Sequence, residues 1–172
     1  MVKNHVLRVI HMEAANKKGV LVCNTPKANA YTVAEHAVAL ILDAVKQITY
    51  LNNSVKSGLW QRRDTWTLEG KTLGIVGMGT IGGYIAGIMS RAFKMKILYV
   101  SRENKVEYEK EFGATKVDLQ TLMSSSDVVS VNASYSDQTV NMIGERELFG
   151  MKPESVLVCT SRAELVNPEA LK

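Results

Sequence analysis

The chain has 172 residues, 46% hydrophobic and 22% charged, with a formal charge of +4. That length builds one ordinary domain with a real core and not two full ones, and the composition is that of a soluble globular protein. The Lys and Arg residues are scattered, which excludes a nucleic-acid-binding stripe, and the longest apolar stretch, Ala37 to Val45, carries Asp43 and is too short to span a membrane.

The elements follow in chain order. Gly19 to Pro26 reads as a short buried strand stopped by proline. Tyr31 to Tyr50 has apolar residues at Val33, Ala37, Leu40, Ile41, Ala44, Val45 and Ile48, a long helical pattern with a wide apolar arc. Such a helix calls for cover on more than one side, from the domain body and from a partner. Asn52 to Thr67 is polar and reads as a short helix and a loop. From Lys71 onward, strands and helices alternate. Strands are predicted at Thr72–Val76, Lys96–Val100, Thr115–Val117, Asp127–Val131 and Ser155–Thr160. Helices are predicted at Ile81–Phe93, Val106–Phe112, Leu119–Ser124 with Asp118 as N-cap, and Glu145–Phe149. This alternation means an α/β fold, a doubly wound parallel sheet with helices on both faces. A complete dinucleotide domain of that kind has six strands. Five are countable here, so the sheet reads as incomplete at its C-terminal end, and Pro168–Lys172 reads as a helix just beginning. Cys23 and Cys159 match no metal or redox spacing. Both lie in apolar runs and read as buried free thiols of a reducing, cytoplasmic protein.

The most informative segment is Lys71 to Gly82. The apolar run Leu73–Val76 leads directly into Gly77-Met78-Gly79-Thr80-Ile81-Gly82 and then into a helical pattern. A Gly-x-Gly-x-x-Gly turn between a strand and a helix is the fingerprint of dinucleotide binding. Gly77 allows the tight turn out of the strand, Gly79 lets a pyrophosphate approach the backbone, and Gly82 lets the helix pack on the strand. The helix N-terminus then offers free N–H groups to the phosphates.

The end of the second strand bears on cofactor choice. An NAD site places Asp or Glu there, about 20 residues past the glycines, for the ribose 2′-hydroxyl. Here the strand end reads Ser101-Arg102-Glu103-Asn104-Lys105, with no acid at the tip. Ser101 can donate to a 2′-phosphate, Arg102 can pair with it bidentately, and Lys105 adds charge. The predicted cofactor is therefore NADP. NAD is the alternative, if a shift of two residues in the turn brings Glu103 to the ribose.

Several runs taken together resemble one family. They are Glu13-Ala-Ala, Gly19-Val, Asn24-Thr-Pro26, Val33-Ala-Glu-His-Ala37, Gly58-x-Trp60, the segment Leu68 to Gly82, Ser126-Asp-Val-Val-Ser130, Met151-Lys-Pro153 and Arg162. In this order the set resembles the D-isomer-specific 2-hydroxyacid dehydrogenases, over nearly the whole chain. The Ser101-Arg102 pair is similar to that of the NADP-using glyoxylate and hydroxypyruvate reductases within the family. The resemblance implies hydride transfer between the nicotinamide and a small 2-oxo acid, with Arg162 holding the substrate carboxylate. It implies cofactor contacts at Gly77, Met78, Gly79, Thr80, Ile81, Gly82, Ser101, Arg102, Lys105, Ala133, Ser134, Thr160 and Ser161. It also implies a homodimer formed through the long helix near Ala34–Gln47. Residues 1–29 then read as the tail of a substrate domain, and 30–172 as a truncated dinucleotide-binding domain.

The departures from the family pattern are equally specific. The resemblance places the proton-donating histidine and its glutamate beyond Lys172, and His5, His11 and His36 do not match them. Cys159 stands where the family has Asn, Ala163 where it has Gly, Asn167 where it has Asp, and Ser134 where it has Pro. Three readings follow: a piece of an NADP-dependent reductase, inactive alone; a non-catalytic nucleotide-binding dimerisation module; or a structural partner, against which the glycine turn argues.

Overall fold

Parallel pairing joins five strands in the order β3-β2-β1-β4-β5. They are β1 Thr72–Val76, β2 Lys96–Val100, β3 Thr115–Lys116, β4 Val128–Val131 and β5 Val156–Cys159. The computed structural model of the protein describes residues 10–172; His5 and the start of the 1–29 segment lie outside the described residues. Seven helices are described: α1 Met12–Lys17, α2 Ala30–Lys46, α3 Ile48–Lys56, α4 Thr80–Phe93, α5 Val106–Phe112, α6 Leu119–Ser125 and α7 Glu145–Phe149. The strand and helix positions expected from Lys71 to Cys159 agree with these to within a residue or two. Asp118 does cap α6, its carboxylate accepting from the Thr121 N–H at 2.9 Å.

The two central strands explain the unbroken apolar runs in the sequence. β4 is buried throughout, and β1 from Leu73 to Val76, because helices cover both faces of the sheet. On one face, Leu73, Ile75, Ile97 and Tyr99 pack with Ile41 of α2 and with Ile85 and Met89 of α4. On the other, Val76, Val129 and Val131 pack with Leu122 and Met123 of α6 and with Leu165. Gly74 lets α6 approach closely: a Cβ there would lie 2.4 Å from Ser126 Oγ and 2.5 Å from Leu122 Cδ2.

Four expectations are corrected. Gly19 to Pro26 forms no strand. No residue from Ile10 to Asn29 is buried, so this stretch has no neighbouring strand to satisfy its backbone and no apolar face to cover. Cys23 and Cys159 are exposed rather than buried, since the first lies in that stretch and the second at the very end of β5. The long helix is two helices. Gln47 adopts φ +55° between α2 and α3, and the Asp43 carboxylate accepts from Thr49 N–H at 2.6 Å and Thr49 Oγ1 at 2.7 Å. A side-chain acceptor thus serves the first turn of α3, as caps do. Finally, Pro168–Leu171 forms turns rather than a helix. Asn167 Oδ1 accepts from the N–H groups of Glu169 and Ala170, the bonds that an N-cap makes at a helix start, so the stretch is a capped turn of four residues.

Asp127 ties the start of β1 to the chain entering β5. Its carboxylate accepts from Thr72 N–H at 2.8 Å and from Lys152 Nζ at 3.0 Å. Burial pushes its pKa up, but the bonds from Thr72 and Lys152 outweigh this and hold it below the usual aspartate value. A carboxyl with a lowered folded pKa stabilises the fold above its unfolded value of about 3.9 and loses that contribution as pH falls through the folded value. Asp127→Asn is expected to lower stability at neutral pH by about 1–3 kcal/mol. Urea titrations should show the gap between wild type and variant narrowing as the pH is taken below about 4.

Candidate functional site

Strand register brings the candidate residues to one end of the sheet. The last pairs of the ladders are Val76↔Val100, Val76↔Val131 and Val131↔Cys159. Gly77, Ser101, Asn132 and Thr160 each follow one of these residues, so four loops leave the sheet side by side. Gly77 N–H donates to Val100 O at 2.9 Å and Asn132 N–H to Val76 O at 2.7 Å, extending the pairing by one step. The strand order reverses between β1 and β4, and in open α/β sheets ligands bind in the crevice at such a switch point.

The three glycines of the turn differ in what surrounds them. Gly77 has φ +96°, and a Cβ on it would lie 2.5 Å from Ala133 N and 2.6 Å from Ala133 Cα. At Gly82 a Cβ would lie 2.6 Å from Gly77 O and 2.9 Å from Ile75 Cγ2. At Gly79 it would meet nothing within 4 Å. Two glycines therefore close the turn against the protein, and the third faces open space. Gly79 caps α4 without a side-chain bond, and the first turn has no acidic residue. Among the described residues the N–H groups of Thr80, Ile81 and Gly82 find no backbone acceptor. Free amides at the positive end of a 14-residue helix, with open space beside Gly79, fit a pyrophosphate. Met78 is buried in the core, so only its main chain can meet a ligand.

The loop after β2 carries Ser101, half-buried, and Arg102 and Glu103, both exposed. Glu103 pairs with Lys105 Nζ at 3.6 Å. The loops after β4 and β5 are tied together, Ser161 Oγ donating to Ala133 O at 2.6 Å. The Ser134 side chain is exposed, and its carbonyl accepts from Thr139 Oγ1 at 2.9 Å. Arg162 is exposed and donates through Nη1 to Ser161 O at 2.9 Å.

A cavity of about 180 Å³ lies among these loops, lined by Asn29, Val33, Ile81, Asn132, Thr160, Ser161 and Arg162. An open cleft of about 530 Å³ between α2 and the end of β5 adjoins it, lined by Thr32, His36, Leu40 and Cys159 among others. The smaller one is the more telling, because it touches the glycine turn at Ile81. Inside it, Thr160 Oγ1 and Asn132 Oδ1 are buried without a hydrogen-bond partner. Buried polar atoms are nearly always satisfied, so a pair of orphans marks a place for a bound polar group or water. Asn132 belongs to no motif of the sequence. Its signal is positional, the first residue past a fully buried strand at the switch point. Its Nδ2 is held by Ser130 O at 3.1 Å and Ser130 Oγ at 3.0 Å, which aims the amide oxygen away from the strand.

The family of D-isomer specific 2-hydroxyacid dehydrogenases, NAD binding domain, matches residues 38–172. The chain belongs to this family. Glyoxylate reductases from Thermococcus litoralis and Aeropyrum pernix are 40% and 41% identical to it, each over 94% of this chain and 51% of their own. Among solved structures, the D-lactate dehydrogenase of Escherichia coli superposes with a TM-score of 0.87 at 27% identity, covering 94% of this chain and 51% of that one. A glyoxylate reductase from Paecilomyes thermophila does so with a TM-score of 0.81 at 35% identity, covering 94% and 49%. The chain thus spans about half the length of the relatives it matches, and that half is the NAD-binding domain. Family membership accounts for the sheet order and for a nucleotide crevice at the switch point. It leaves the choice between NAD and NADP open.

The surroundings of the glycines separate stability from binding. Gly77→Ala strains a positive φ and drives a methyl into Ala133, and is expected to cost at least about 2 kcal/mol. Gly79→Ala, at φ −90° and ψ −160° with open space around it, should leave the melting temperature almost unchanged. Its methyl would instead occupy the approach to the backbone, so dinucleotide affinity should fall at least about tenfold. Thermal melts and fluorescence titration of the two variants check the contrast.

Proposed function

We propose that this chain is the NADPH-binding half of a reductase that passes hydride to a small 2-oxo acid such as glyoxylate. The carrying observation is the pairing of an open Gly79 with a neighbouring loop that presents Ser101 and Arg102 and no acid at its tip. Gly77 to Gly82 would hold the pyrophosphate on free amides, and Ser101, Arg102 and Lys105 would hold the 2′-phosphate. Lys105 shares its charge with Glu103, so Arg102 is assigned the larger part. Thr160 and Ser161 line the cavity and Ser161 is bonded to Ala133; together with Ser134 they suit the nicotinamide end. When bound, the cofactor supplies the hydride. The protein's part is to position it and to hold a substrate carboxylate on the fork of Arg162.

Proton delivery is assigned to no residue of this chain. His11 accepts from Ala14 N–H at the start of α1, and among the described residues no histidine pairs with a carboxylate. The activity assigned to this chain is dinucleotide binding, which also suits the second reading, a nucleotide-binding dimerisation module. The division at residues 29 and 30 is supported by burial, since Ala30 is the first buried residue among those described. Exposed free thiols at Cys23 and Cys159 suit a reducing, cytoplasmic setting. Among the described residues no helix is long and apolar enough to cross a membrane.

A homodimer is also proposed. α2 buries Ala34, Ala37, Val38, Ile41 and Val45 against the domain, yet Leu21, Tyr31, Ile48, Val55, Leu59 and Trp60 are all more than half exposed, Trp60 at 84%. Exposed aromatic and aliphatic side chains in and next to α2 and α3 are of the kind that an interface covers.

Two measurements test these proposals. Calorimetric titration is expected to give tighter binding of NADPH than of NADH, with Arg102→Ala losing roughly tenfold to a hundredfold for NADPH, as for a charge-assisted hydrogen bond, and little for NADH. Equal affinities in the wild type would reject the assignment to NADPH. Sedimentation at roughly ten micromolar should show a dimer if the interface is of standard size, with Trp60→Glu shifting it to monomer. A wild-type monomer would reject the dimer.

A further inference from the structure

We propose that Tyr99 and Lys116 are positioning residues that fix the Ser101–Lys105 loop in its phosphate-holding form, and so set the choice between the two dinucleotides. This rests on the NADPH reading above and adds residues from outside the loop itself.

Tyr99 and Lys116 are register partners across β2 and β3, so their side chains rise from the same face of the sheet. Each reaches a different part of the loop. The Tyr99 hydroxyl accepts from Lys105 N–H at 2.8 Å and donates to Glu109 Oε1 at 2.6 Å. The Lys116 ammonium donates to Asn104 Oδ1 at 2.9 Å and to Arg102 O at 3.4 Å. The loop is therefore held at its far end by one residue and through its middle by the other, while its near end continues directly from β2.

Tyr99 is fully buried. For packing alone phenylalanine would serve, because a buried hydroxyl is costly unless it is bonded. This hydroxyl is bonded both as donor and as acceptor, and both bonds concern the loop and the helix that follows it. Burial, then the neighbouring Glu109 carboxylate, raise its pKa, so it remains a neutral donor throughout the physiological range. Lys116 is exposed at the edge of the sheet, where a lysine has no packing role, yet its ammonium reaches back over the loop. None of the four bonds uses the Ser101 hydroxyl or the Arg102 guanidinium. The fastening acts through main chain and Asn104, and the phosphate-reading groups keep their donors. A loop ordered before its ligand arrives loses less conformational entropy on binding, and preorganisation of this kind raises affinity without adding a contact. The gain falls on NADPH, because only its 2′-phosphate engages the groups that the loop carries.

The test uses the 172-residue chain, titrated with NADPH and with NADH, as wild type and as Tyr99→Phe, Glu109→Gln and Lys116→Met, with amide exchange followed at Lys105. Tyr99→Phe keeps the ring and removes only the hydroxyl. It is expected to lower the NADPH-to-NADH affinity ratio about tenfold, the loss of one or two hydrogen bonds, and to speed exchange at the Lys105 amide. Lys116→Met should lower the ratio in the same direction. Glu109→Gln keeps an acceptor for the hydroxyl and should retain the wild-type ratio, which a general loosening of β2 would not allow. A wild-type preference for NADPH that survives unchanged in folded Tyr99→Phe overturns the positioning role alone. Equal wild-type affinity for the two dinucleotides overturns the Arg102 reading, and the selectivity role with it.

Discussion

The contact on which the rest of this structure depends is the approach of the β1–α4 turn to the chain leaving β4. Gly77 lies so close to Asn132 and Ala133 that no side chain fits between them, and Gly82 lies as close to the Gly77 carbonyl. These approaches bring α4 down onto the sheet, point its free amides at the crevice, and set the loops after β1 and β4 edge to edge. Had either glycine been alanine, the helix would stand off the strand and the crevice would widen. The apolar faces of α4 and β1, including Ile85, Met89, Leu73 and Ile75, would then be less well covered. Binding geometry and core packing are thus one constraint seen from two sides, with Gly79 the point at which the protein steps back and leaves room.

The fold from Lys71 onward was legible because its determinants are local and redundant. Strands buried on both faces are apolar throughout, helices carry their own period, and the glycine turn joins the two in a fixed sense. The N-terminal part was not legible for the same reason. Gly19 to Pro26 has the composition of a buried strand, but composition does not supply a neighbour, and none is present among the described residues. The break at Gln47 was hidden because the apolar period continues through it. The cause is Asp43, six residues before the amide and hydroxyl that it receives, a separation at which no helical pattern looks for a partner.

For the site, the sequence marked the residues whose chemistry is unusual in kind, the glycines and the basic pair at the end of β2. It could not mark those that matter through placement. Asn132 is an ordinary amide whose oxygen happens to be buried without a partner beside that of Thr160. Tyr99 reads from sequence as one more apolar strand residue. Met78 shows the converse: it sits inside the motif, yet its side chain belongs to the core. The fingerprint identifies a backbone path, and side chains along that path are free to serve packing.

The two margins of the sheet are unlike, and this has a consequence for growth. On one side β3 is two residues long and carries Lys116, so little backbone is offered and a charge stands beside it. Short, charged edges discourage further pairing. On the other side β5 runs Val156 to Cys159, apolar and only partly covered, with its outer backbone groups unpaired among the described residues. Any further strand, from this polypeptide or another, meets a template on that side alone. The sheet is polarised, closed beyond β3 and extensible beyond β5.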